Sequence, residues 1–231
     1  MAERQTEPNP YSLDDCDEVN SVDTRNASLI QYNIVVVFQE LRFGQVLYEL
    51  ARNLLPGHPS PLITEIPNQL LVVVYPDRKL QCQFANRRVE VRDNRDVGPG
   101  TEPFSQVAVK AVEAASQASG CNIVAYGYNY VVQLPIGQDP GQFIRTRFFK
   151  SPETLGDAFG GEVGSVGIKA SIKLADCKAI FDIEPVPDRP ELIKAHANYH
   201  YERTKLPTDA NALTEEIQQK YDEFKAAMER L

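Results

Sequence analysis

The chain has few cysteines, and none in the spacing of a metal or redox motif. They are Cys16, Cys82, Cys121 and Cys177, and no two of them stand as C-x-x-C within the 231 residues. A zinc ribbon or a thioredoxin-like centre needs such a pair. A G-x-S-x-G elbow and a Walker-type phosphate loop are missing as well. We therefore expect reduced thiols and predict no cofactor. The chain is also long enough to bury a hydrophobic core without disulfides or a structural metal.

Long apolar runs are also missing. The longest span residues 34–38 and 70–75, far below the roughly 20 residues of a membrane-spanning helix. The first ten residues are polar, without a basic segment leading into an apolar one, so the sequence predicts no secretory signal. We expect a cytoplasmic protein that has no contact with a membrane.

Positive charge is scarce, since 24 lysines and arginines face 32 acidic residues, for a net charge of −8. Such a balance repels nucleic acid, so a general nucleic-acid partner is disfavoured. Residues 1–28 hold seven acids, two arginines and few apolar residues. This composition predicts a mobile acidic arm, which is either a solvating tail or an arm that orders on a partner.

What the chain does contain is a pattern of strands and helices. Within residues 29–135, strands are predicted over 30–38, 70–75, 80–91 and 122–134. One helix follows the first strand and ends at Pro56-Gly57, and a second begins at Thr101 and ends before Gly120. The resulting βαββαβ order is typical of a ferredoxin-like unit. The predicted fold class is therefore α+β.

The remainder of the chain extends this α+β pattern. Residues 136–207 read as a second, β-rich half with short helices, and no long linker separates it from the first half. Residues 208–231 form an amphipathic helix whose apolar residues recur at alternating spacings of four and three. These are Ile217, Tyr221, Phe224, Met228 and Leu231. Two interpretations stay open, a helix docked on its own domain and a helix that drives dimerisation.

An aromatic stripe suggests one binding surface. Tyr126, Tyr128 and Tyr130 share one face of the strand over residues 122–134, and RNA-recognition domains stack bases on aromatic side chains of such a sheet. Further candidate contacts are Arg145, Arg147 and Phe148. The RNP1 pattern is absent and the overall charge opposes nucleic acid, so the stripe can equally pack against the second half of the chain.

A single histidine pair, His196 and His200, is the weak candidate for a metal site. On a helix these residues would share a face and could bind one ion. On a strand they lie roughly 13 Å apart, too far for one ion. Alternation of apolar and polar residues over 193–202 favours the strand, while Asp188 and Pro190 resemble the start of a helix. We therefore predict no metal and leave strand and helix open.

No catalytic set assembles from these patterns. The interpretation we favour is a non-enzymatic cytoplasmic protein that binds a partner protein or itself, because it has an acidic arm at one end and an amphipathic helix at the other. Two alternatives remain: an enzyme whose site is assembled from distant residues, and a binder of single-stranded nucleic acid through the tyrosine stripe.

Overall fold

The structure is a computed structural model that describes residues 22–58, 60–95, 98–149, 157–158, 160–161 and 163–231. The first half of the chain contains β1 (Ser28–Phe38), α1 (Gln45–Ala51), β2 (Leu62–Ile66), β3 (Leu70–Tyr75), β4 (Leu80–Ala85), β5 (Arg88–Asp93) and α2 (Glu102–Ser119). The second half contains β6 (Ile123–Pro135), α3 (Pro140–Phe148), β7 (Ile168–Lys173), β8 (Lys178–Val186), β9 (Arg189–Tyr201) and α4 (Ala210–Glu229). The predicted α+β class is confirmed.

The ferredoxin-like order is not confirmed, because four strands instead of two separate α1 from α2. β2 was not predicted at all. The stretch predicted as one strand over residues 80–91 is a hairpin, in which β4 and β5 are joined by Asn86 and Arg87. Both turn residues have positive φ, 46° and 68°, which a two-residue turn of this hand requires. Arginine seldom takes that conformation, so its presence does not signal a turn in the sequence.

The nine strands of the described residues form one antiparallel sheet in the order β2-β3-β4-β5-β1-β6-β9-β8-β7. Both halves of the chain therefore share one sheet. From the centre of the sheet outward, the first half contributes β1, β5, β4, β3 and β2. The second half contributes β6, β9, β8 and β7, so both halves place their first strand at the centre and their last strand next to it. Asn33 of β1 lies opposite Asn129 of β6, and each follows a tyrosine. The sheet thus has an approximate two-fold arrangement about this asparagine pair.

Three helices of the described residues pack directly on one face of the sheet, and α1 packs on α2. α2 packs on β4 and β5, α3 on β8 and β9, and α4 on β6. The helices and the inward side chains of the strands form one hydrophobic core. α2 ends as predicted, at Gly120, whose φ of 64° allows the helix to close with a left-handed residue. Burial of this shared core is the main source of stability.

The expected acidic arm, residues 1–28, lies outside the described residues up to position 21. From position 22 the chain belongs to the fold, because Val22 is only 3% exposed and Asp23 caps a short 3-10 turn over Thr24–Asn26. Among the described residues, the helices are too short or too polar to cross a membrane.

Candidate functional site

The tyrosine stripe faces the helices. Tyr126, Tyr128 and Tyr130 are each 1% exposed. Tyr126 stacks on Tyr201 with ring centroids 4.8 Å apart, and the Tyr130 hydroxyl donates to the Ile217 carbonyl oxygen at 2.7 Å. Burial raises the pKa of Tyr126 to about 12. The proposed base-stacking role of this stripe is therefore wrong, because its rings are enclosed by the protein's own core.

The apolar residues of α4 are also used inside the chain. Ile217, Tyr221, Phe224 and Met228 are buried, and Leu231 packs against the same core. Phe224 lies against Tyr130 and Phe181, at centroid distances of 6.3 and 6.1 Å. Of the two interpretations of this helix, the structure supports docking. These side chains cannot form a dimer interface without leaving the core.

The candidate residues of α3 lie on the helical side as well. The Arg145 guanidinium donates to the Val163 carbonyl oxygen at 3.1 Å and lies 4.0 Å from Asp139. Arg147 donates to the Arg230 carbonyl oxygen at 3.1 Å. Phe148 is 37% exposed. The two arginines thus form hydrogen bonds with the backbone at Val163 and Arg230. The structure does not bring them together with the tyrosine stripe.

The histidine pair lies on a strand, since β9 spans both residues. His196 and His200 point away from the face on which α2, α3 and α4 pack. They are four residues apart along the strand, so they are too distant to share one ion. His196 has a lowered pKa because of its burial, an effect opposed by Asp182 and reinforced by Lys169 and Lys194. Within the described ranges, histidine, cysteine and acidic residues form no cluster of three that could hold a metal.

The face opposite α2, α3 and α4, here called the open face, is the candidate functional surface. Its middle carries a row of half-buried asparagines, Asn33, Asn129 and Asn198, on three neighbouring strands. The Asn129 amide donates to the Asn33 side-chain oxygen at 2.7 Å, and Asn198 donates to Asn129 in turn. Each amide thus has a defined orientation, which leaves a row of fixed polar groups at the centre of the face.

The asparagine row continues into the first half of the sheet. Asn33 donates to the Glu90 carboxylate at 3.2 Å, and Glu90 accepts from the Arg92 guanidinium at 2.6 Å. Five side chains on four strands are therefore linked by hydrogen bonds across the open face. Such linked polar groups restrict one another's rotamers, so the centre of the face is pre-organised.

One end of the open face is apolar. On β2, Leu62 and Ile66 are 63% and 47% exposed, and they lie opposite Val74 and Leu70 of β3. Val72 lies between these two on the same face. We call these five residues the apolar end. Exposed aliphatic side chains grouped on an outer strand are typical of a contact surface.

The other end is basic. Lys169, Lys173, Lys178 and Lys194 lie on β7, β8 and β9 together with the two histidines. Two of these lysines face acids, with Lys194 2.6 Å from Glu184 and Lys169 3.8 Å from Asp182. We call the four lysines, His196 and His200 the basic end. It stands out in a chain whose net charge is −8.

Sequence reasoning did not identify the asparagine row. A signal was present, since asparagine is depleted in strands and yet occurs within two apolar stretches, at Asn33 and Asn129, and within an alternating one, at Asn198. The strand register is what brings the three together.

No protein-family model matches this chain, and no curated protein matches it. A solved structure titled "Methanococcus jannaschii TBP" aligns with 85% of this chain and 98% of its own, at 13% sequence identity and a TM-score of 0.35.

Proposed function

We propose that this protein is a non-enzymatic binding protein and that the open face receives a partner protein. This proposal rests on the one-sided covering of the sheet, since α2, α3 and α4 pack on the opposite face and α1 packs on α2. Nine strands at the usual spacing span roughly 38 Å, and six residues along a strand span roughly 20 Å. The resulting area, roughly 750 Å², is close to what one partner buries in a standard interface.

The chemistry of the open face supports a partner with two kinds of group. The apolar end suits aliphatic or aromatic side chains, while the basic end suits carboxylates. Between them, the hydrogen-bonded row from Arg92 to Asn198 offers fixed polar groups, so little side-chain freedom is lost on binding. We infer that the partner segment is apolar at one end and acidic at the other.

A peptide library displayed on phage and selected against the full-length chain tests this proposal. We expect the selected peptides to combine apolar with acidic residues, because such peptides complement both ends of the face. Val72→Lys at the apolar end and Lys194→Glu at the basic end should each weaken binding at least about tenfold. Val46→Lys is the matched control, because Val46 is 54% exposed on α1, on the helical side.

Three outcomes would overturn the proposal. The first is a set of selected peptides whose binding survives both open-face substitutions. The second is an equal loss of binding in the Val46→Lys control. The third is tight binding of single- or double-stranded oligonucleotides that weakens steeply with salt, since that behaviour identifies a surface built for phosphate backbones.

A further inference from the structure

A cavity of about 510 Å³ lies at one corner of the open face, where the β7–β8 hairpin meets the end of β9. Its lining includes Ser171, Lys173, Asp176, Lys178, His200 and Arg203. The hairpin loop is closed by a hydrogen bond from the Leu174 amide to the Cys177 carbonyl oxygen at 2.9 Å. Cavities of this size accommodate small organic ligands.

Two lysines and a histidine lie on adjacent strands in this corner. Lys173 lies directly opposite Lys178, and Lys178 lies directly opposite His200. Residues in such positions have their Cβ atoms about 5 Å apart, and like charges there destabilise a sheet. Elsewhere on the basic end the charges are matched, since Lys169 faces Asp182 and Lys194 faces Glu184. The corner alone places lysine against lysine.

The nearby acid does not neutralise this pair. Asp176 is 3.4 Å from Arg203 and 3.9 Å from Lys220, so its charge is already shared between two other cations. Across the described residues, neither Lys173 nor Lys178 belongs to an ion pair. The remaining acid of the lining is Glu202, which is exposed at the rim of the cavity.

We propose that this corner binds the phosphate group of a small phosphorylated molecule. A phosphate offers several oxygens to the two ammonium groups, which approach it as point charges. The hydroxyl of Ser171 lies on the same face of β7, two residues from Lys173, and supplies a further donor. The bound dianion relieves the repulsion between the two lysines, and the rest of the cavity receives the organic part of the ligand.

The test is a titration of full-length protein with inorganic phosphate and with pyrophosphate, followed by amide chemical shifts at constant ionic strength. We expect saturable shifts at residues 171–178 and at His200, larger for pyrophosphate than for chloride or sulfate at equal concentration. Lys173→Ala and Lys178→Ala should each weaken pyrophosphate binding about tenfold, the typical effect of losing one charge-assisted contact.

Two further variants sharpen the test. Lys169→Ala removes a lysine of the same strand that already faces Asp182, so it should leave pyrophosphate affinity within about twofold of the wild type. Glu202→Gln removes a repelling charge from the rim and should strengthen binding. All variants should keep the wild-type circular dichroism spectrum, because the four side chains are outside the core.

The proposal is overturned if pyrophosphate produces no saturable shift, or if Lys169→Ala weakens binding as much as Lys173→Ala does. It is also overturned if an oligonucleotide binds through the same two lysines while pyrophosphate does not, because the site would then serve a polymer. No peptide enters this titration, so its result is independent of the partner-protein proposal.

Discussion

The two halves of the sheet are alike on the face that the helices cover and different on the open face. Under the helices, both halves present a layer of aromatic rings, with Tyr32 against Phe104 in one and Tyr130 against Phe224 in the other. On the open face, the first half ends in exposed leucine and isoleucine, and the second ends in lysines. The covered face therefore sets the fold, while the open face is free to acquire binding chemistry.

The largest expected effect tests whether both halves depend equally on their helices. Phe104→Ala in α2 and Phe224→Ala in α4 each remove a fully buried ring and leave a cavity. Each should lower the free energy of unfolding by about 3–5 kcal/mol in a denaturant titration. A loss below about 1 kcal/mol for Phe224→Ala, together with a change in oligomeric state by light scattering, would return α4 to the role of an assembly helix.

The next effect concerns a buried ion pair found in the first half. Asp93 is fully buried, accepts from Tyr32 at 3.1 Å, and is held by the Arg95 guanidinium and backbone amide. Asp93→Ala leaves that guanidinium, 20% exposed, without its partner, and should lower stability by about 3 kcal/mol. Glu90→Ala, on the open side of the same strand, is the control and should lower it by about 1 kcal/mol or less. Equal losses of stability in the two variants would show that charged groups on the covered face contribute no more to stability than those on the open face.

A smaller effect separates two tyrosines of β6 in the second half. Tyr130→Phe removes the buried hydrogen bond to Ile217, 2.7 Å long, and should lower the free energy of unfolding by about 1–2 kcal/mol. The hydroxyl of Tyr128 is buried and has no hydrogen-bond partner among the described residues. Tyr128→Phe should therefore leave stability unchanged or raise it by up to about 1 kcal/mol. The reverse order of the two values would contradict the packing described for this layer.

The smallest effect is expected on the open face. Lys169 and Asp182 form an ion pair whose side chains are 71% and 39% exposed. Lys169→Ala should change the unfolding free energy by less than about 0.5 kcal/mol, because exposed pairs are screened by solvent. A loss near that of the core variants would show that the open face also maintains the fold.

Much of the fold follows from local pattern. The alternation along β6 correctly places Tyr126, Tyr128 and Tyr130 on one face. It does not say which face the helices cover, because the other face also carries apolar residues such as Ala125 and Val131. The spacing in α4 likewise indicates an apolar seam, but a docked helix and a dimerising helix share that spacing.

The open face could not be predicted because it depends on register. Asn33, Asn129 and Asn198 become neighbours only when three strands, distant in sequence, align with a particular offset. The lysine pair at the corner is closer in sequence. Its role as a binding site still depends on Lys178 lying opposite His200 of another strand. Local propensity does not predict such strand pairing.

Binding of a partner segment to the open face would be reported most directly by the side-chain amide signals of Asn33, Asn129 and Asn198. We would follow these three signals by nitrogen-15 NMR while adding a selected peptide that is apolar at one end and acidic at the other. Saturable shifts of these amides, with the exposed surfaces of α1 and α4 unchanged, are the predicted result. Shifts confined to the helices, with the asparagine amides unmoved at saturation, would contradict binding at this face.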